Sequence, residues 1–266
     1  MIGPFTSFLL VLTLVTAAPE EQPKTSILAV FAHPDDEASV GPLLARYASE
    51  EHSVSLVSVT SGQLGVTAHA GIPAGEELAR VREEEARCAA SKLGIHPPIL
   101  LGFQDQGIST PEAMAEISGR LREIIEETRP SVLITWGPDG VTGHPDHRAV
   151  SNVVTQVFQQ REMLQHRPDR LYYVSYPEDR LKGAAGQLGG LGSLHLVSGE
   201  FITTAVDCSG YMEQALEAMK CHKSQWTEEF IESANEMATR ALENRVYLRQ
   251  ALPAPERDAR QTSILD

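Results

Sequence analysis

The chain has 266 residues, 42% of them hydrophobic and 22% charged, enough to bury the core of one large domain or two small ones. Its formal net charge is −14 and it has no run of Lys or Arg, which excludes a phosphate-backbone binder because that mode needs a basic footprint. Three cysteines without a CxxC spacing exclude a disulfide framework and allow one bridge at most.

In chain order, the first segment is "MIGPFTSFLLVLTLVTAAPEEQ". An apolar stretch from Phe8 to Val15, then small residues, then "PEEQPK", is the pattern of a secretory signal peptide over residues 1–18, although it carries no Lys or Arg. It predicts export by cleavage, with an uncleaved N-terminal membrane anchor as the alternative. No later segment is apolar enough to span a bilayer.

"SILAVFA" (26–32) reads as a buried strand, followed by a helix through "DDEASVGPLLARYASE". "SVSLVSVT" (53–60) is a second strand, and "GEELARVREEEARCAASKLG" (75–94) is a helix ended by Gly94, with Cys88 read as a small core residue. "PPILLGF" and "SVLITW" (131–136) are further strands around a helix (111–130) that starts after Ser109-Thr110 with Pro111 near its first position. A helix near 146–163, strands "RLYYVSY" and "FITTAVDC", and a helical pattern from about 209 to 249 complete the order. The Gly-rich "LKGAAGQLGGLGSLH" (181–195) reads as a flexible loop, and residues 253–266 as a loose polar tail. Uninterrupted apolar strands alternating with helices predict one α/β domain over residues 24–252. Its form is a Rossmann-like three-layer sandwich, with a mainly parallel sheet covered on both faces.

Two phrases carry chemistry: "AVFAHPDDE", from Ala29 to Glu37, and "GHPDH", from Gly143 to His147. Each follows a strand, and Pro34 and Pro145 each suit the first position of a helix. In parallel sheets, ligands bind beyond the carboxyl ends of the strands, so both phrases face one rim and can converge. His33 and Asp36 are three apart, as are His144 and His147, a spacing that shares a face of a helical turn. One carboxylate and two imidazoles suit zinc or a similar divalent metal such as Fe2+, and three protein ligands leave a position open for water. A single His-Pro-Asp would read as a helix N-terminus with an acidic cap. Two copies at matching junctions do not.

"AHPDDE" followed by "GHPDH" resembles the LmbE-like, or PIG-L-like, family of zinc-dependent de-N-acetylases. The resemblance runs from about Ser26 to Gln225 and includes "TSGQLG" (60–65), the Arg82-to-Glu85 spacing, "LLGFQDQG" and "AMKCHKSQ" (218–225). It implies His33, Asp36 and His147 as metal ligands and Asp35 as general base. It also implies that His144 assists the leaving group and oxyanion, and that Asp146 orients and charges His144. One departure concerns the sugar site: Thr142 stands where some members have an aromatic residue. The implied substrate is a small N-acetylated sugar or glycoconjugate, and no nucleic acid partner is expected.

Three further residues are substrate-binding candidates. Arg82 holds a substrate hydroxyl or phosphate, or only a surface carboxylate. Asp105 reaches the same rim or caps a turn. His222 reaches the site, from this chain or from a neighbour in a homo-oligomer, or is an ordinary helix-end histidine. The motifs describe the metal rather than the pocket, so an amidase acting on another acyl-amine or a thiol conjugate is the rival enzyme reading. A non-catalytic glycan-binding module is the other rival, and Asp35 speaks against it because a binder needs no base.

Overall fold

The computed structural model describes residues 25–182, 194–252 and 260–265. Its strands are β1 (Ser26–Phe31), β2 (Ser53–Thr60), β3 (Ile99–Phe103), β4 (Val132–Trp136), β5 (Arg170–Val174), β6 (Tyr176–Pro177), β7 (Leu196–Val197), β8 (Thr204–Asp207) and β9 (Arg245–Leu252). The helices are α1 (Gly41–Ser49), α2 (Glu76–Leu93), α3 (Pro111–Thr128), α4 (Gly140–Gly143), α5 (Pro145–Gln159), α6 (Glu178–Leu181), α7 (Met212–Met219) and α8 (Glu228–Arg240). Seven strands form one sheet in the order β3-β2-β1-β4-β5-β9-β8, while β6 and β7 pair separately. The pairs from β3 through β5 are parallel; β9 runs antiparallel to β5 and β8.

Successive side chains of a strand point to opposite faces, and β1 shows why its sequence is apolar without interruption. Ile27, Ala29 and Phe31 enter a core roofed by α1, α2 and α7 through Leu43, Ala89 and Ala215. Leu28 and Val30 enter a second core, roofed by α3 and α5 through Leu121 and Val153. Both faces are dry, and each large aliphatic side chain buried there contributes about 1.5–3 kcal/mol.

Local chemistry sets the helix ends. Thr110 Oγ1 accepts from the Ala113 amide (3.2 Å) with Pro111 at the start of α3, and Gly94 ends α2 at φ 73°.

Several boundaries differ from the sequence reading. Residues after His33 do not enter a helix at Pro34: Asp35 takes φ 109°, a 3-10 turn covers Asp36–Ser39, and α1 begins only at Gly41. The helical pattern over 209–249 resolves into α7 and α8, and then Glu243 and Asn244, both at positive φ, turn the chain into β9. The tail is docked where it is described: Gln261 bridges to Thr204, and the fully buried Ile264 lies in the core and donates its amide to Tyr47 Oη (3.1 Å). Cys88 is not a buried core thiol; it is exposed and bridged to Cys221, while Cys208 is free and buried. The Gly-rich stretch at 183–193 lies outside the described residues.

Candidate active site

From β1 the sheet grows through β2 to β3 on one side and through β4 to β5 on the other. Such a reversal opens a crevice at the carboxyl ends of the two central strands. β1 and β4 pair in register, Ile27 with Val132 through Ala29 with Ile134, so the chain leaves both at the same rim. The first phrase follows β1, and the second follows β4 after α4. Their side chains meet.

Asp36 is the hub. Its Oδ2 accepts from the amides of Ala32 (3.0 Å) and His33 (2.9 Å) and from Trp136 Nε1 (3.3 Å). Its Oδ1 lies 3.3 Å from His147 Nε2, and His33 Nδ1 lies 3.6 Å from Oδ2. The two imidazole nitrogens are 3.3 Å apart. Ligand atoms about 2.0–2.2 Å from one tetrahedral ion stand roughly 3.3–3.6 Å from each other, so this donor set fits a single zinc-sized cation.

The opposite ring edges are tied as ligand histidines require. His147 Nδ1 faces the Gly140 carbonyl (3.0 Å), which places the proton there and leaves Nε2 for the ion. His33 Nε2 faces Asp105 Oδ1 (3.2 Å) and Asp146 Oδ2 (3.4 Å), leaving Nδ1. Trp136 stacks on His147 with ring centres 4.6 Å apart. His33, His144 and His147 also bring one nitrogen each within 4.8 Å. His144 Nδ1 accepts from the Asp146 amide (3.2 Å), whereas Asp36 offers the group a negatively charged oxygen beside both His33 and His147.

Electrostatics follow from this crowding. Burial works against the charge on His33 and on His147, but the surrounding carboxylates prevail and hold both above the usual imidazole range. Burial likewise opposes an ionised Asp36, and His147 and His33 outweigh it, holding the carboxyl well below the usual range. His144 is lowered by burial first and then by its histidine neighbours, so it is neutral near pH 7. Burial pushes Asp35 up to about 6 against the pull of Arg82. A carboxylate poised there suits general base work.

The structure places the remaining candidates as follows. Asp35, Asp36 and His147 line a cavity of about 270 Å³, together with Trp136 and Thr142. Asp146 is fully buried against His33 and accepts from the Gln106 amide (2.7 Å); its carboxylate thus orients His33 rather than His144, which it meets only through its backbone amide. Arg82 is buried on α2 rather than on the surface: it pairs with Asp35 Oδ1 (3.0 Å) and donates to the Gly62 (2.9 Å) and Pro34 (2.5 Å) carbonyls. Asp105 Oδ2 accepts from the Leu64 amide (3.0 Å) while its other oxygen faces His33, so it orients the His33 ring and fixes a loop.

His222 belongs to its own chain's site. It is 1% exposed, with Nε2 2.6 Å from Glu37 Oε1, and Glu37 outweighs burial to hold it above the usual imidazole range.

Four contributors escaped the sequence reading as site residues: Glu37, Trp136, Glu85 and Ser224. Glu37 was visible as the last letter of "HPDDE". Glu85 was visible as the partner of Arg82 one helical turn on; its carboxylate accepts from the Ser224 amide and hydroxyl, both 2.7 Å.

A family model described as GlcNAc-PI de-N-acetylase, PIG-L, matches residues 28–158. Among relatives in sequence, the 1D-myo-inositol 2-acetamido-2-deoxy-alpha-D-glucopyranoside deacetylase of Mycobacteroides abscessus is 30% identical, covering 76% of this chain and 81% of its own. The enzyme of that name from Saccharomonospora viridis is 32% identical, covering 76% and 85%. The N,N'-diacetylchitobiose deacetylase of Pyrococcus horikoshii shares the fold at 19% identity, with a TM-score of 0.65 over 85% of this chain and 83% of that one.

These relatives also correct the expectation of export. The kinship is with deacetylases of an inositol glycoside, which runs against an exported or membrane-anchored protein, and both readings are withdrawn. Residues 1–18 lie outside the described residues, among which no helix is long and apolar enough to cross a membrane. The level of identity and its extent agree with the paired His-Pro-Asp phrases: the chain belongs to the PIG-L family of metal-dependent de-N-acetylases.

Proposed function

We propose that this protein hydrolyses the acetamide of an N-acetylglucosamine-type sugar, releasing acetate and a free amino sugar, and that its metal is zinc. The carrying observation is that His33 Nδ1, the Asp36 carboxylate and His147 Nε2 approach one another pairwise at 3.3–3.6 Å, and that Asp35 lines the same cavity as Asp36 and His147. His33, Asp36 and His147 would hold the zinc ion, which when bound would supply Lewis acidity, lowering the pKa of a water from about 16 towards about 7 and polarising a carbonyl.

The chain's own groups supply the rest. Asp35, ionised above pH about 6, takes the proton of the attacking water. His144 is neutral with Nδ1 accepting from the Asp146 amide, so its proton sits on Nε2 and donates to the oxyanion as charge develops there. Asp35 then holds the proton that the departing amine needs, and returning it leaves both groups ready for another cycle. Asp105 and Asp146 keep His33 in its ligand tautomer.

The test combines elemental analysis with acetate release. About one zinc per chain is expected in protein purified without chelators, with acetate released from 2-acetamido-2-deoxyglucopyranosides, including the inositol glycoside of the named relatives. Folded protein that binds zinc yet releases no acetate from any of these sugars would exclude the substrate class. An iron content near one with zinc near zero would correct the metal.

A further inference from the structure

We propose that Glu37 and His222 form a buried positioning pair that fixes the backbone of Asp35, and that the pair acts on hydrolysis only through that residue. The inference rests on Asp35 being the general base.

Asp35 sits at φ 109°, ψ −22°, a backbone conformation that non-glycine residues seldom adopt. Such a conformation persists only where its surroundings over-determine it. Two attachments do so here. Arg82 grips the Asp35 carboxylate and the Pro34 carbonyl, fixing the side chain and the peptide before it. Glu37 holds the opposite edge of that same peptide: its Oε2 accepts from the Asp35 amide (3.0 Å), and its Oε1 meets His222 Nε2 (2.6 Å).

Glu37 is 2% exposed and His222 1%, so neither meets bulk water. Neither belongs to the proposed ligand set, and neither is among the residues that line the cavity beside the metal cluster. A buried carboxylate this costly to place requires a partner. Its two oxygens are divided between the His222 imidazole and one particular amide, which is an arrangement for holding a backbone rather than for meeting substrate. His222 is itself anchored, since Cys221 is bridged to Cys88 and Ser224 is bound by Glu85. The position of Asp35 is thereby referred to α2, the same helix that carries Arg82.

The test uses full-length, metal-loaded protein and N-trifluoroacetylglucosamine, an activated amide whose slow hydrolysis stays measurable in weak variants. Glu37→Gln and His222→Gln are each compared with wild type, with each other combined, and with Asp35→Asn. Displacing a reacting group by an ångström costs about 10²-fold. Each single variant is therefore expected to lower kcat by about that factor, with KM and bound metal close to wild type. The double variant should lose no more than the weaker single variant, because both residues act through one hydrogen bond.

Adding Glu37→Gln to Asp35→Asn should change nothing further. Wild-type kcat in both single variants overturns the proposal, as does a loss that multiplies fully onto Asp35→Asn. Loss of metal or of the folded state in both variants also overturns it, since the pair would then hold the site together rather than aim the base. Asp35→Asn with wild-type activity refutes the base assignment itself, a result distinct from all of these.

Discussion

Two adjacent aspartates have been given opposite work, and the geometry separates them. Asp36 directs one oxygen to three N–H donors and the other to His147, whereas Asp35 points to Arg82 and the cavity. If Asp36 is a ligand as proposed, Asp36→Asn replaces an anionic donor with a poor neutral one, so bound metal should fall and partly recover when zinc is in excess. Asp35→Asn should retain its zinc and lose about 10²–10⁴ in rate, with no recovery on adding zinc. Metal content and amide cleavage measured on both variants decide the matter; an empty site in Asp35→Asn beside a full one in Asp36→Asn would reverse the roles. The acid side of the pH profile follows from the same carboxyl. A base works ionised, so kcat/KM should fall about tenfold per unit below its pKa. Burial sets that pKa at about 6, and a cation on Asp36 favours the ionised form, so the limb should lie at or below that value. An acid limb centred well above pH 7 would assign it to another group.

At the scale of elements, α2 does more than cover the sheet. Arg82, Glu85 and Cys88 stand three residues apart along one face of the helix. They hold, respectively, the first His-Pro-Asp turn, the Ser224 segment and Cys221. The glycines of "TSGQLG" make room for this. Gly62 has φ +62°, and a Cβ there would run into the Arg82 guanidinium; one on Gly65 would meet the same group. Gly62→Ala should therefore shift Arg82 and lower kcat/KM by about 10–10²-fold. Gly71→Ala is the control, because Gly71 has a similar φ of +64° with nothing within 4 Å of its Cβ position. Equal activity in the two variants would leave Arg82 without a positioning role.

The same elements show what could be read in advance. β1 and β4 were legible because strands buried on both faces are apolar throughout, and the convergence of the two His-Pro-Asp phrases because each follows a central strand. β9 was not: "RVYLRQAL" has enough Leu, Arg and Gln to pass for helix, and its pairing with β5 and β8 decides otherwise. Nor could spacing reveal the Glu37–His222 contact, whose members lie 185 residues apart and meet only in the folded chain. Arg82 read equally as a substrate-binding residue or a surface cation in an acidic helix; its pairing with Asp35 depends on a turn that no local pattern encodes.

At the scale of the whole molecule, the covalent path is shorter than the sequence suggests. Cys88 and Cys221 are 133 residues apart, and between them lie most of the sheet and the whole second His-Pro-Asp phrase. In the chain-entropy account, closing a loop of that length withholds about 5 kcal/mol of freedom from the unfolded ensemble. For a chain of this size, losing it lowers Tm by about 10–20 °C. Cys88→Ser combined with Cys221→Ser should show that drop by calorimetry. The thiol–disulfide balance around the protein then becomes a dial on catalysis as well as on stability: with the bridge open, the turn carrying His222 is retained by non-covalent bonds alone, and kcat should decline at temperatures where the fold is still intact. Unchanged kcat in the serine variant, measured well below its Tm, would confine the bridge to stability.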